Sequence, residues 1–210
     1  MKHTILPVSE DTNQENANVL GRAFIDNPIP VAIFQELPAI DRQKRLTAAF
    51  AADLEICAKT GKPLLIKEKD HVIAVAVIYH PGSYPMSLIN QILLLIKVIW
   101  GAGFYGLGRW MTYLSEVEKL HPKQPHYYLE YLGVEPAYQG KGLGSALLKF
   151  LTEKADSEQM GCYLENANPR NNPLYHRFGF ETINEKNIIG VDNWFMWRSP
   201  NKEVAQSSRA

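Results

Sequence analysis

Apolar and polar positions switch period along this chain, and the switches divide it into elements. Residues 4–8 form a short apolar run of strand length. Ser9-Glu10-Asp11 is suited to cap a helix, Thr12-x-x-Glu15 fits a capping box, and Val19, Leu20, Ala23 and Phe24 follow at helical spacing. Asp26-Asn27-Pro28-Ile29-Pro30 then predicts a stiff connection. Asp41 is placed to cap a second helix bearing Leu46, Ala49, Phe50, Leu54 and Cys57, with a stop at Gly61. Residues 63–69 and 72–79 predict a hairpin across Asp70-His71, and Ala74-Val75-Ala76-Val77 suits a strand covered on both faces. Ile89, Ile92, Leu93, Ile96, Ile99 and Trp100 recur at helical spacing, predicting a helix whose apolar stripe packs on the core or lines a pocket. Gly101, Gly103, Gly106 and Gly108 weaken helix propensity before a further helix over 110–120, so this segment is either part of a substrate lid or a helix–helix corner.

The densest information lies between 127 and 180. Residues 127–134 form an apolar, β-favouring run that Glu135-Pro136 ends, because proline cannot donate to a ladder. Gln139-Gly140-Lys141-Gly142-Leu143-Gly144-Ser145 leads straight into a helix with Leu147, Leu148, Leu151 and Ala155 on one face. A strand, a glycine-rich turn and a helix start make an anion site, where backbone N–H groups converge on the positive end of the helix dipole. The glycines at 140, 142 and 144 fit neither a Walker A loop nor the dinucleotide Gly-x-Gly-x-x-Gly fingerprint. Beyond them come a strand over 160–166, a short helix over 173–178, strands over 182–188 and 194–198, and a polar tail expected to be disordered.

Gln139-x-x-Gly142-x-Gly144, followed by Asn168, Leu174-Tyr175 and Phe178-Gly179-Phe180, resembles the signature of the GCN5-related N-acetyltransferases. A narrower likeness, to the puromycin N-acetyltransferases, is carried by Gly133-Val134-x-Pro136, Leu164-Glu165, Pro169-Arg170-Asn171 and His121-Pro122-Lys123-x-Pro125. The resemblance implies an α+β (mixed α/β) fold, with a twisted mixed sheet of about six to seven strands, helices on both faces and a splay between two central parallel strands. It implies one domain over 1–198 with a tail over 199–210. It also implies an enzyme that moves an acetyl group from acetyl-CoA to a primary amine of a small molecule. A non-catalytic acyl-CoA-binding module and an enzyme acting on a protein amine are the alternatives.

By the same resemblance, backbone groups of Leu132, Gly133 and Val134 take the pantetheine arm and polarise the thioester. The amides of Gln139, Gly140, Lys141, Gly142, Leu143, Gly144 and Ser145 hold the pyrophosphate, Asn168 or Asn171 contacts the arm, and Tyr175 protonates the departing thiolate. The region between the first two helices helps to form the acceptor pocket. A base is still needed to deprotonate the amine, and two carboxylates stand as candidates. Glu165 lies late in the strand after the motif helix, where an ion pair with Arg170 or Arg177 is the alternative reading. Glu130 lies mid-strand, by alternation on the face of Leu132 and Val134.

Charge and composition mainly exclude. Lys and Arg together number 22, as do Asp and Glu, and the chain lacks the basic footprint of a nucleic-acid binder. Cys57 and Cys162 stand far apart without a CxxC pair, and the six histidines form no i,i+4 pair, so buried thiols and no metal are expected. The run at 89–100 is broken by Asn90, Gln91 and Lys97 and is shorter than the roughly 20 residues of a membrane span. With no apolar segment after Met1-Lys2-His3-Thr4, a cytoplasmic protein is expected, as a monomer or homodimer.

Overall fold

A computed structural model describes residues 4–8, 13–60 and 63–201, apart from the side chains of 58–60. The expected caps at 9–12, the stop at Gly61 and the tail from 202 lie outside the described residues. Seven strands form one sheet: β1 (Ile5–Pro7), β2 (Leu64–Glu68), β3 (His71–Tyr79), β4 (His126–Val134), β5 (Gly161–Asn166), β6 (Glu181–Ile188) and β7 (Val191–Arg198). Their spatial order is β1-β2-β3-β4-β5-β7-β6, antiparallel throughout except where β4 meets β5. The helices are α1 (Asn13–Ala23), α2 (Pro28–Ile33), α3 (Ala39–Thr60), α4 (Leu88–Ala102), α5 (Leu107–Leu120), α6 (Leu143–Ser157) and α7 (Asn172–Arg177). The architecture is the expected mixed α/β sheet with its central parallel pair.

Each face of the sheet carries its own core. On one, Val75, Val77, Tyr79, Tyr128 and Tyr163 pack with Leu20 of α1 and Phe50 and Leu54 of α3. On the other, Ala74, Ala76, Ile78, Leu129 and Leu164 pack with Leu143, Leu147, Leu148 and Leu151 of α6 and Tyr175 of α7. Apolar side chains on both sides leave β3 almost wholly buried, as its unbroken run of small residues predicts.

Local chemistry shifts several expected boundaries. The β2–β3 turn sits at Lys69-Asp70, both at positive φ (49° and 68°), one residue earlier than expected; this is the backbone a two-residue hairpin requires. Residues 28–33 are a short helix and not a bare connection: Pro28 starts it and the Asn27 side chain caps it, accepting from Ile29 N at 3.1 Å. Asp41 lies inside the first turn of α3, favourable there for the helix dipole but not the cap. The glycine segment is a tight corner, with Gly103 and Gly106 at φ near +79° and +77° between α4 and α5.

The stripe expected to bury α4 faces outward. Ile89, Ile92, Leu93, Ile96 and Trp100 are exposed, Trp100 by 87%. The helix instead packs on Ala49 and Ala52 of α3 through Leu94, Val98 and Ala102. Those three positions, spaced by four residues, make a narrower apolar seam with small partners that lets the two helices approach closely. Among the described residues no helix is long and apolar enough to cross a membrane.

Gly161 opens β5 where it pairs with His126, and a Cβ there would overlap the Trp197 ring. Gly161→Ala is expected to cost about 1–3 kcal/mol through overpacking and to lower the thermal midpoint by about 2–12 °C, measurable by circular dichroism.

Candidate active site at a strand fork

Beta strands β4 and β5 pair in parallel from His126↔Gly161 to Leu129↔Leu164 and no further, although β4 continues to Val134 and β5 to Asn166. The next register position on each strand holds an acid: Glu130 on β4 and Glu165 on β5. Beyond it, the edge of β4 that faces β5 is unpaired, through Leu132, Gly133 and Val134. That edge leads to the glycine turn. Arg22 of α1 grips Glu135 with Nε–Oε1 2.9 Å and Nη2–Oε2 2.8 Å, which fixes the turn against the first helix. The Gln139 side chain donates to the Val134 carbonyl at 3.1 Å.

The turn itself forms an open cradle. Gly140 and Gly142 have φ of +74° and +83°, and a Cβ on either would meet nothing within 4 Å. Gly142 is the left-handed N-cap of α6, and no side chain caps the first turn over Leu143, Gly144 and Ser145. Helix N–H groups without an internal partner, with the helix dipole behind them, are suited to an anion. Lys141 reaches back over the Tyr138 ring, 4.5 Å from its centroid. The turn fits the pyrophosphate of a coenzyme on this observation: the backbone is bare where phosphate oxygens would lie.

Tyr175 reaches the α6 side of the fork. It is buried in that core, edge-on to Phe180 with centroids 6.1 Å apart, and burial pushes its phenol up to about 12. Arg198 anchors the helix end, donating from Nε to Phe178 O at 2.8 Å and holding Asp156 with Nη1 and Nη2. Asn168 serves the loop: its side chain accepts from Arg170 N at 3.2 Å, and its carbonyl takes Asn166 Nδ2 at 2.7 Å. Asn171 caps α7 in sequence without a side-chain bond there.

The opposite side of the fork holds the acids, and here simple alternation misplaces Glu130. Val77 pairs with Tyr131 and Ile78 with Leu129, so two steps on β4 answer one on β3 and Glu130 is the extra residue of a bulge. The bulge reverses parity. Glu130 lies with Tyr128 and Tyr131 toward α3, away from Leu132 and Val134, and its Oε2 is 3.9 Å from Cys57 Sγ. Asp53, Cys57 and Glu130 place ligand-type atoms within 4.8 Å of one another. The Cys57 thiol also touches the Tyr79 hydroxyl and donates to Asp53 Oδ1 at 3.4 Å. Burial raises all three acids: Asp53 to about 6, Glu130 well above the usual carboxylate range with Asp53 beside it, and the Cys57 thiol likewise upward.

Glu165 meets His121, not Arg170 or Arg177. His121 Nδ1 lies 3.5 Å from Glu165 Oε1, and both side chains are over nine-tenths buried. The protons follow from the network. The Gln124 carbonyl only accepts, so His126 Nδ1, 2.6 Å away, carries a proton. Burial favours neutral His126, which leaves its Nε2 an acceptor, and the proton in the 3.1 Å contact belongs to His121 Nε2. His121 Nδ1 and Glu165 Oε1, though 3.5 Å apart, have no hydrogen-bond partner among the described residues.

Sequence reasoning missed His121, His126, Asp53 and Cys57. Asp53 and Cys57 had a signal: an acid and a thiol at i,i+4, one turn apart on the apolar side of α3. The histidines, five residues apart in a proline-rich approach to β4, meet only through the tertiary fold.

The fold finds counterparts among known proteins. The acetyltransferase (GNAT) family model matches residues 31–180. The chain belongs to that family. A relative in sequence is an uncharacterized N-acetyltransferase of Schizosaccharomyces pombe, 34% identical over 67 residues; the match spans 31% of this chain and 27% of that protein's length. Among solved GNAT structures, a histone acetyltransferase HPA2-related acetyltransferase of Corynebacterium glutamicum superposes with a TM-score of 0.71 at 23% identity, covering 96% of this chain and 98% of that one. The Drosophila melanogaster polyamine N-acetyltransferase, which forms N-acetylagmatine, gives 0.63 at 13%, covering 94% and 99%. At these identities the structures bear on the fold.

Asp53 yields a pH signature. Its carboxyl ionises at about 6 when folded and at 3.8 in its ordinary state, so the proton is held more tightly in the folded protein. That contribution to stability is complete below the lower value and is lost as pH rises through the higher one. Asp53→Asn lacks this loss. Its thermal midpoint relative to the native protein is expected to rise between about pH 4 and about pH 7, then level; parallel curves would contradict the assignment.

Proposed function

We propose that the protein is an N-acetyltransferase moving the acetyl group of acetyl-CoA directly onto a primary amine of a small molecule. The observation that carries this reading is the fork, with a bare anion cradle at its mouth and buried acids at its base. The coenzyme pyrophosphate lies on the backbone of 139–145, and the pantetheine arm adds along the free edge of Leu132, Gly133 and Val134 like an extra strand. A backbone N–H near Val134 polarises the thioester carbonyl. Puromycin-type acceptors fall within this class on motif likeness alone.

The amine nitrogen attacks the thioester carbon, the C–N bond forms and the C–S bond breaks. The proton lost by nitrogen goes to the Glu165 carboxylate, with the contacting pair His121–His126 behind it. Coenzyme A leaves as a thiolate and takes its proton from Tyr175, whose phenol is raised by burial and therefore holds that proton at neutral pH. Glu165 is the base because it has the histidine pair behind it. Glu130 is locked with Asp53 and has none. Asn168 secures the loop that carries Tyr175, and Asn171 is free to meet the coenzyme arm.

Calorimetric titration is expected to show saturable binding of acetyl-CoA and none of ATP or NAD; the reverse pattern would return the cradle to a different nucleotide. Tyr175→Phe is expected to keep that affinity and to lower kcat by about a hundredfold or more, and unchanged turnover removes Tyr175 from the mechanism. Glu165→Gln should lower kcat by a similar factor while leaving acetyl-CoA affinity unchanged, a split that mere loosening of the fold does not produce.

A further inference from the structure

Strands β3 and β4 are antiparallel neighbours whose register closes at Tyr79↔Tyr128, where a turn of about two to five residues would join them. Residues 80–125 stand there instead, and they include α4 and α5. Both ends of this excursion reach the acid side of the fork: Tyr84 packs on His121 at 4.4 Å, and His121 faces Glu165. Its middle carries a face that the fold leaves uncovered. Leu88, Ile89, Ile92, Leu93, Ile96 and Trp100 are exposed, and at about 100° per residue they span an arc of about 140° on α4. Phe104, 74% exposed, follows just past the helix end. Together these side chains present on the order of 800–1,000 Å² of apolar surface, against the roughly 300–600 Å² of the largest patch on an ordinary monomer. Each partner in a standard protein interface buries about 800 Å².

Charge narrows what can cover such a face. From residue 80 to residue 115 the chain has no aspartate or glutamate, and its lysine and arginine residues are Lys97 and Arg109. Lys97 is held by Glu55 at 2.8 Å, and the stripe itself carries no charge. An anionic bilayer is recognised through clusters of about four to eight basic residues, which this surface lacks. The chain as a whole is formally neutral, so two copies meet without net repulsion. We propose that the outer face of α4 is an isologous dimer interface whose occupant is a second copy of this chain. The stripe matches itself. Laid antiparallel about a two-fold axis between Leu93 and Ile96, each α4 sets Leu93 against Ile96 of the other copy and Trp100 against Ile89. Aliphatic side chains fill the centre, and the largest ring closes each end. Pairing braces from outside the segment whose ends carry Tyr84 and His121 to Glu165.

Sedimentation velocity of the native protein across the micromolar range is expected to give the mass of two chains. Ile92→Glu combined with Ile96→Glu puts charge at the axis and is expected to weaken association by about a hundredfold or more, leaving a monomer with native circular dichroism. Trp100→Ala removes an exposed ring and is expected to weaken association by about tenfold or more, which keeps the test decisive should the double variant not fold. A native protein that stays at the mass of one chain overturns the proposal, and if it also pellets with phosphatidylserine vesicles the face belongs to a bilayer. A dimer that survives both variants overturns this surface as its interface. A mass that climbs past two chains with concentration overturns the two-fold closure.

Discussion

A single stretch of parallel pairing, four residues long, governs this molecule. From His126↔Gly161 to Leu129↔Leu164 the strands β4 and β5 hold the two halves of the sheet together. Where pairing stops, the sheet opens a gap whose walls are main chain and whose floor is carboxylate. Backbone groups left without a sheet partner must find other hydrogen bonds, and the proposed pantetheine arm, which carries amides, would supply them in the geometry a strand does. The helix α6 then starts at the end of one wall, which is why cradle and gap belong to one site. Each half of the sheet is meanwhile built from antiparallel pairs, so the opening does not weaken the layers on either side.

The two sides of the fork do different work because the sheet separates them. Toward α6 lie Tyr175 and the apolar core that raises its phenol. Toward α3 lie the acids, the histidine pair and a cluster of tyrosines. Tyr128 stands edge-on to His121 at 4.8 Å and Tyr84 packs on the same ring at 4.4 Å, holding the imidazole plane against Glu165. The proposed proton donor and proton acceptor thus sit on opposite faces of the sheet at the fork.

How much of this the sequence discloses depends on the range over which each feature is determined. Turn chemistry is local, so the glycine cradle and the strand end at Glu135-Pro136 are legible directly. Helical periodicity told which residues of α6 share a face, and in that helix the shared face is the buried one. The same periodicity in α4 identified a common face for Ile89, Ile92, Leu93 and Ile96 but not what lies opposite it. Periodicity carries no information about the partner, and α3 offered a seam of alanines to a different stripe. The Tyr175 helix and its loop were legible from motif residues, whereas the Asp53–Glu130 contact joins residues far apart in the chain. The face of Glu130 was illegible for another reason: a bulge leaves no mark in the alternation of a strand that is apolar on both sides.

That one extra residue also limits what can be carried from one family member to another. Position 130 has no opposite number on β3. In a relative whose strand runs without the bulge, the column aligned with Glu130 belongs to the other face of the sheet, beside the coenzyme and not beside the acceptor. A comparison scored column by column would then move a carboxylate through the sheet without any change in score.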